Sequence, residues 1–575
     1  MSKHKRHFHR CFYYDTNHYT ILATMKTNII YSLIFILLPL AVCGQNKSTG
    51  ISPSELETSL PIIVISTDNP LNAQKKVDAK MKIIDSRKGM NTISSKSINY
   101  EGHIGIKLRG NSSLSFNQKK YTIETCDGSG KSLNVSLLGM PEEHDWVLLA
   151  PYMDVSMIRD PLAFQLWEEM GYWAPRRKMV EVIFNDDYKG IYILTEKIKQ
   201  DKNRVDIAKI KPEDNSGREL TGGYLLRIDT YDGDDATFES KVAGIGNGMF
   251  NQKVVWTCLT PKKGKLTEEQ FNYISNYIDS MEQCILSDDF TDGKKDYSKY
   301  INVSSFVDYI IHTELSLNAD AYKRSAYFIK KKQNEDGTGG KISAGPVWDY
   351  NLAYGNCNFC GANDIYGWAY EGCNTSPTPF FWKRLMEDPE FVKSVSKRYK
   401  ELRSNILSEI HLDSIIDGYA KQLAEAQKRH FEKYPELLHS QSGKNENNIM
   451  MGGFPMMPGF GDMPMPDFSN MTQMPGFGNI PMPDFGNMPQ MPGFGNIPMP
   501  DFSNMPQMPG FGNMPMPDFS NMPQMPGFGD MQNFTMDASM FAAYFVSSYD
   551  EEIKMLKDWI HERLAVMDER FLTAQ

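Results

Sequence analysis

Asp320 and Asp349 are the residues of this chain best placed to do chemistry. Asp320 follows the apolar run IIHTELSLNA, and Asp349 ends the segment KISAGPVWD. Between them SAYFIKKK (Ser325 to Lys332) reads as a strand and the Gly-rich NEDGTGG (Asn334 to Gly340) as a turn. KISAGPVWD then returns as a second strand. One carboxylate precedes this hairpin and the other caps its far end, so strand pairing brings both to the same end of a sheet. Two carboxylates converging there can hold a divalent metal and position a hydroxyl nucleophile, which is what phosphoryl transfer needs. An aspartate beside a hairpin is more often a turn or cap residue. The ordered run Asn318-Ala319-Asp320, then Trp348-Asp349-Tyr350-Asn351, is more specific, because Asp and Asn two apart can both coordinate one hard cation.

The elements that must position these acids fall into two groups. From Leu60 to Glu124 the stretches LPIIVIST, KVDAKMKII, GHIGIKLRG and KKYTIET alternate apolar and polar residues and read as strands. SMIRDPLAFQLWEEMG (Ser156 to Gly171) has helical spacing, with Gly171 as its stop. KMVEVIFNDDYKGIYILTEKI reads as a hairpin turning at Asp-Asp-Tyr-Lys-Gly, and GGYLLRID and KVVWTCL add two strands. From Leu266 the chain turns helical, through LTEEQFNYISNYIDSMEQCIL, NVSSFVDYIIHTELSLN, FFWKRLMED, EFVKSVSKRYKELRSNIL and SIIDGYAKQLAEAQKRHFEKYPELL. The expected class is α+β, with a β-rich part over 50–265 and a helical part over 266–440.

A 575-residue chain that is 41% hydrophobic has ample material for a sizeable core. Its net charge of −10 excludes a nucleic-acid surface, and clusters such as KIKQDKNR (Lys197 to Arg204) read as solvated faces. Residues 1–24 have no apolar core and read as a spurious or untranslated extension. Residues 25–44, opening at Met25, have the lysine, apolar run and small residues of a secretory signal peptide. The run is shorter than the roughly 20 apolar residues of a membrane span. LAVC partly matches a lipobox, so export to the periplasm, cell surface or medium is expected, either with cleavage near Gly44 or with a lipid on Cys43. Of the cysteines left in an exported chain, Cys357, Cys360 and Cys373 suggest a loop disulfide over a zinc site, since no fourth ligand is near. Over 450–532 a Met/Pro/Gly/Phe repeat restarts at Met457, Met474, Met491 and Met508. Proline at this density forbids regular structure, so a disordered insertion is expected, followed over 533–575 by an amphipathic helix that packs on the helical part.

The segment GPVWDYNLAYGN, with NAD before the hairpin, resembles the spore coat protein H (CotH) kinase family, secreted protein kinases with an atypical kinase fold. The resemblance covers most of residues 60–440 and the final helix, not the repeat. It implies a two-lobed kinase-like fold acting on ATP with Mg²⁺ or Mn²⁺, and transfer to Ser or Thr hydroxyls of an exported protein. Asp320 would orient the attacking hydroxyl, and Asp349 would hold the metal with Asn351 as a helper. The run RGNSS…KK (Arg109 to Lys120) matches a family motif, which implies that Arg109 and one of Lys119 and Lys120 meet the phosphates. Alternation sends the two lysines opposite ways, and Lys120 is preferred. Glu196 would fix that lysine through an ion pair. Where some members carry an asparagine metal ligand after the first aspartate, this chain has Lys323-Arg324-Ser325, a weaker donor. Two other readings compete: a non-catalytic kinase-like surface protein for adhesion or assembly, and a carbohydrate-active enzyme using Trp348, Trp368 or Trp382. The latter needs an acid pair roughly 5 to 10 Å apart in a sugar cleft.

Overall fold

The computed structural model describes residues 51–230, 236–246, 253–290, 296–320, 322–373, 376–438 and 546–573. The expected leader with Cys43 and the Met/Pro/Gly/Phe repeat lie outside the described residues. Seven strands close into a barrel: β1 (Ile62–Ser66), β2 (Val77–Ile84), β3 (Ile98–Arg109), β4 (Lys120–Cys126), β5 (Asp145–Leu149), β6 (Arg177–Phe184) and β7 (Asp187–Glu196). Their order is β1-β2-β3-β4-β5-β7-β6, closed by a parallel pairing of β6 with β1. Alternation explains the barrel's filling: Ile63 and Ile65, Met81 and Ile83, and Ile104 and Ile106 all enter one buried cluster.

Two local details differ from the sequence expectation. The strand β5 was not anticipated, because DWVLL is buried at every position and shows no alternation. The β6–β7 turn is Asn185-Asp186, both left-handed, and Asp187 already belongs to β7. Positive φ at both central residues is the two-residue hairpin geometry whose twist matches the flanking strands.

A second, antiparallel sheet holds β8 (Tyr224–Ile228), β9 (Ala236–Glu239), β10 (Val255–Thr260), β11 (Ala326–Lys330) and β12 (Ile342–Ala344), ordered β12-β11-β8-β10-β9. The hairpin between the two aspartates is thus formed, with Phe328 opposite Ala344, and it enters the sheet through β8. The helices are α1 (Arg159–Glu169), α2 (Gly217–Leu220), α3 (Glu268–Leu286), α4 (Val303–Ser316), α5 (Phe380–Leu385), α6 (Pro389–Arg403), α7 (Glu409–Leu423), α8 (Ala426–Lys433), which packs on barrel strand β7, and α9 (Tyr549–Asp568). The chain is therefore a mixed α+β protein, β-rich at its N-terminal side and helical at its C-terminal side. The segment from Ser414 to Leu438, expected as one helix, breaks into α7 and α8 at Ala424-Glu425.

Helix α4 is buried from Ser305 to Ser316, its polar residues Asp308, His312 and Glu314 included. It sits in a core containing Trp167, Leu226, Phe306, Phe328 and Trp382. The C-terminal helix α9 joins the same core through Leu556, Ile560 and Leu564. Cys360 and Cys373 form a disulfide, and Cys357 is a buried thiol. Among the described residues no helix is long and apolar enough to cross a membrane.

Candidate active site

The site is built where the rim of the barrel faces the loops flanking the β11–β12 hairpin. On the barrel side, Arg109 at the end of β3 is the register partner of Lys120 at the start of β4. Directly opposed residues of an antiparallel pair project to one face. The connection turns at Gly110, whose φ is +121° and where an added Cβ would lie 1.9 Å from Ser113 Oγ, so only glycine fits. From this rim the Lys120 ammonium lies 3.5 Å from Asp349 Oδ1. The Arg109 guanidinium stacks over the Trp348 ring at 5.3 Å. Two cross-strand neighbours therefore meet two consecutive residues, Trp348 and Asp349. Lys119 turns away, and its ammonium donates to the Leu114 carbonyl of its own loop at 2.7 Å.

The hairpin alone does not bring the acids together; hydrogen bonds complete the convergence. Helix α4 ends in Leu317 with φ +41°, which turns the chain into Asn318. Asn318 Oδ1 accepts from the Asp320 amide at 3.2 Å while its Nδ2 donates to the Asp349 carbonyl at 3.1 Å. The Ala319 amide donates to the Leu352 carbonyl, and the Tyr354 amide to that of Ser316. Asn318, read from sequence as a candidate cation ligand, thus uses both ends of its amide to join the two acid loops. Leu317, Tyr322, Ser325, Asp349 and Tyr354 all have positive φ. Non-glycine residues hold such conformations only where surrounding contacts over-determine them, a habit of functional sites.

Electrostatics tie the acids together. Burial raises the Asp320 carboxyl above its ordinary range, Lys323 and Arg324 draw it back, and the charges of Asp349 and Asp229 raise it further. Asp160, in the first turn of α1, is a site residue that the sequence reading did not single out. Its Oδ1 accepts from the Tyr350 amide at 2.6 Å. Burial and the Asp349 charge push its carboxyl up to about 7. An acid inside the first turn of a helix beginning Arg-Asp-Pro was the available signal, but that pattern also describes an ordinary helix start. Asn351 is half-buried two residues beyond Asp349, and its carbonyl accepts from Asn356 Nδ2 at 2.8 Å.

Arg159, together with Asp154, is structural. Its fully buried guanidinium pairs with Asp154 and with Glu552 of α9, each at 2.6 Å, and donates through Nε to the Ala353 carbonyl. A second buried arginine, Arg563 of α9, donates to the Glu314 carbonyl at 2.8 Å. The Glu314 carboxylate accepts from the Tyr322 hydroxyl at 2.9 Å. The last helix therefore braces both acid loops.

Glu196 is corrected. It is buried at the end of β7 and forms ion pairs with Arg176 at 2.9 Å and Arg204 at 3.6 Å, whereas Lys120 pairs with Asp349. Two guanidiniums already compensate its buried charge. The basic run from Lys197 to Arg204 is corrected with it. Arg204 is buried over Trp146, and Lys199 bridges Glu143 and Asp145 at 2.9 and 2.8 Å. The cluster Glu143, His144 and Asp145 could supply three metal-ligand atoms, but the Lys199 ammonium already neutralises its carboxylates.

The site is thus an all-oxygen acid cluster faced by a lysine and an arginine from a strand–turn–strand rim. The model of the CotH kinase protein family matches residues 106–451, more than half of the chain, and the chain belongs to that family. The match contains Arg109, Lys120, Asp160, Asp320 and Asp349, and it stops before α9. No curated protein matches the chain.

Proposed function

We propose that this protein is an exported kinase that transfers the terminal phosphoryl group of ATP to Ser or Thr hydroxyls of an extracytoplasmic protein. The observation that carries the reading is the contact of Lys120 with Asp349, in a loop bonded through Asn318 to Asp320. Family membership supports it independently.

The donor set fits a hard divalent cation, Mg²⁺ or Mn²⁺. Asp349, Asp160 and Asp320 offer only oxygen, and burial, with the Asp349 charge added, keeps Asp160 and Asp320 above their ordinary range. Asp349 would hold the cation with Asn351 beside it. When bound, the cation would neutralise charge on the nucleotide phosphates. Lys120 and Arg109 are placed to bind phosphate oxygens from the barrel side. Trp348, capped by Arg109, makes the wall between the rim and the acid loop. Asp320 accepts the proton of the acceptor hydroxyl and orients its oxygen toward the phosphorus.

The test is a calorimetric titration of ATP with Mg²⁺ beside radiolabelled phosphate transfer, for wild type, Asp349→Asn and Asp320→Asn. Asp349→Asn should weaken metal-dependent ATP binding, because a neutral amide replaces a charged ligand. Asp320→Asn should keep binding and abolish transfer, because its work is done in the transition state. Full transfer by both variants overturns the assignment. Absence of ATP binding by wild type under either metal leaves the adhesion reading, which the neutral Ser325 after Arg324 favours.

A further inference from the structure

We propose that Arg324, seconded by Lys323, binds the terminal phosphate of the nucleotide directly over Asp320, an inference that rests on the kinase reading above. The segment from Asp320 to Arg324 is one tight turn: the amides of Lys323 and Arg324 both donate to the Asp320 carbonyl, at 3.2 and 2.9 Å. One carboxylate and two cations thus ride on a single turn, an excess of positive charge at the point where the acceptor hydroxyl is to be held. Lys323 is 8% exposed, and its ammonium curls back to donate to the Ala319 carbonyl. Arg324 is half-buried, and its Nε is buried with no hydrogen-bond partner among the described residues.

A buried guanidinium nitrogen without an acceptor is costly, and a phosphate oxygen is the acceptor whose charge and geometry suit it. The place is also the right one. A phosphoryl group passing from a nucleotide anchored by Lys120 and Asp349 to a hydroxyl held by Asp320 must cross this turn. Ser325, next in the chain and held at φ +47°, offers only a neutral hydroxyl, so positive charge for that group falls to its two predecessors. Asp320 and Arg324 then divide the work: the acid takes the acceptor's proton, and the guanidinium holds the phosphate that the acceptor attacks.

The experiment needs no turnover. The full chain is titrated calorimetrically, in Mg²⁺, with ADP and with the β,γ-imido analogue of ATP. Wild type should bind the analogue about tenfold or more tightly than ADP, the scale of one charge-assisted contact. Arg324→Gln should bring the ratio close to one while leaving ADP affinity within about twofold, and Arg324→Lys should restore part of the preference. A merely structural role would weaken both ligands together. Lys323→Gln should reduce the ratio less; if that buried variant does not fold, Arg324→Gln decides alone. Retention of the full preference by Arg324→Gln overturns the inference, as does equal binding of both ligands by wild type, and in either case the nucleotide-site reading stands. Binding of neither ligand by wild type removes both.

Discussion

The ammonium of Lys120 lies 3.5 Å from the Asp349 carboxylate, although the two residues belong to a barrel strand and to a loop far along the chain. That contact joins the barrel to the acid cluster and separates Lys120 from its neighbour Lys119, which is bonded within its own loop.

The two lysines should therefore behave differently. Lys120→Met should weaken Mg²⁺–ATP binding by about 1.5 to 3 kcal/mol, the worth of a hydrogen bond to a charged group. Lys119→Met should leave nucleotide affinity nearly unchanged. Calorimetric titration of both variants checks this, and equal losses would remove the distinction between them.

Asp160 should make stability depend on pH. Its folded carboxyl titrates near 7 against an ordinary value of 3.8, so between these values the folded state binds more protons than the unfolded one. Stability from this group is thus full below the lower value and falls as pH rises toward 7. Asp160→Asn keeps an acceptor for the Tyr350 amide and removes the charge. In chelator and without nucleotide, the variant should gain on wild type from pH 4 to pH 8, by about 2 to 4 kcal/mol at most. Urea denaturation at the two pH values measures it; a constant difference would show that Asp160 does not titrate in this range.

The arginine between α1 and α9 should be indispensable to the fold. Glu552→Gln removes one of the ion pairs of the fully buried Arg159, and Arg159→Met removes the cation that the buried Asp154 and Glu552 carboxylates share. Breaking one side of a buried pair costs about 3 to 5 kcal/mol. Arg159→Met should be the more damaging of the two in urea melts. A chain ended before Val546 should lose cooperative unfolding, because α9 buries Leu556, Ile560 and Leu564 in the main core. Full cooperativity in that truncation would show that α9 is an accessory.

Replacing residues 453–531 by a short Gly/Ser linker should leave the melting temperature nearly unchanged. Proline and glycine at that density supply no ordered packing surface, and loop length itself costs little. A marked loss of cooperativity in differential scanning calorimetry would contradict this.

Much of the architecture is local and was legible in the residues. Alternation marks β1 to β4, the β6–β7 pair and the hairpin between the acids, and helical spacing marks α1, α3, α4 and α9. Asp320 and Asp349 stood out because acids flanking a hairpin have a chemical use, whereas Arg109 and the lysine pair were singled out by the family resemblance. What escaped depends on partners distant in the chain. β5 is buried at every position because it is covered on both sides, which no single strand's period reveals. Alternation required Lys119 and Lys120 to diverge, but only the register of β3 with β4 and the approach of the Asp349 loop decided which one meets the acid. The same holds for Glu196, whose charge was claimed by Arg176 and Arg204. Asn318 and Asp160 were decided in the same way, since one joins two loops and the other reaches across from α1. Periodicity is a property of a segment, whereas the partner of a buried charge is a property of how segments pack.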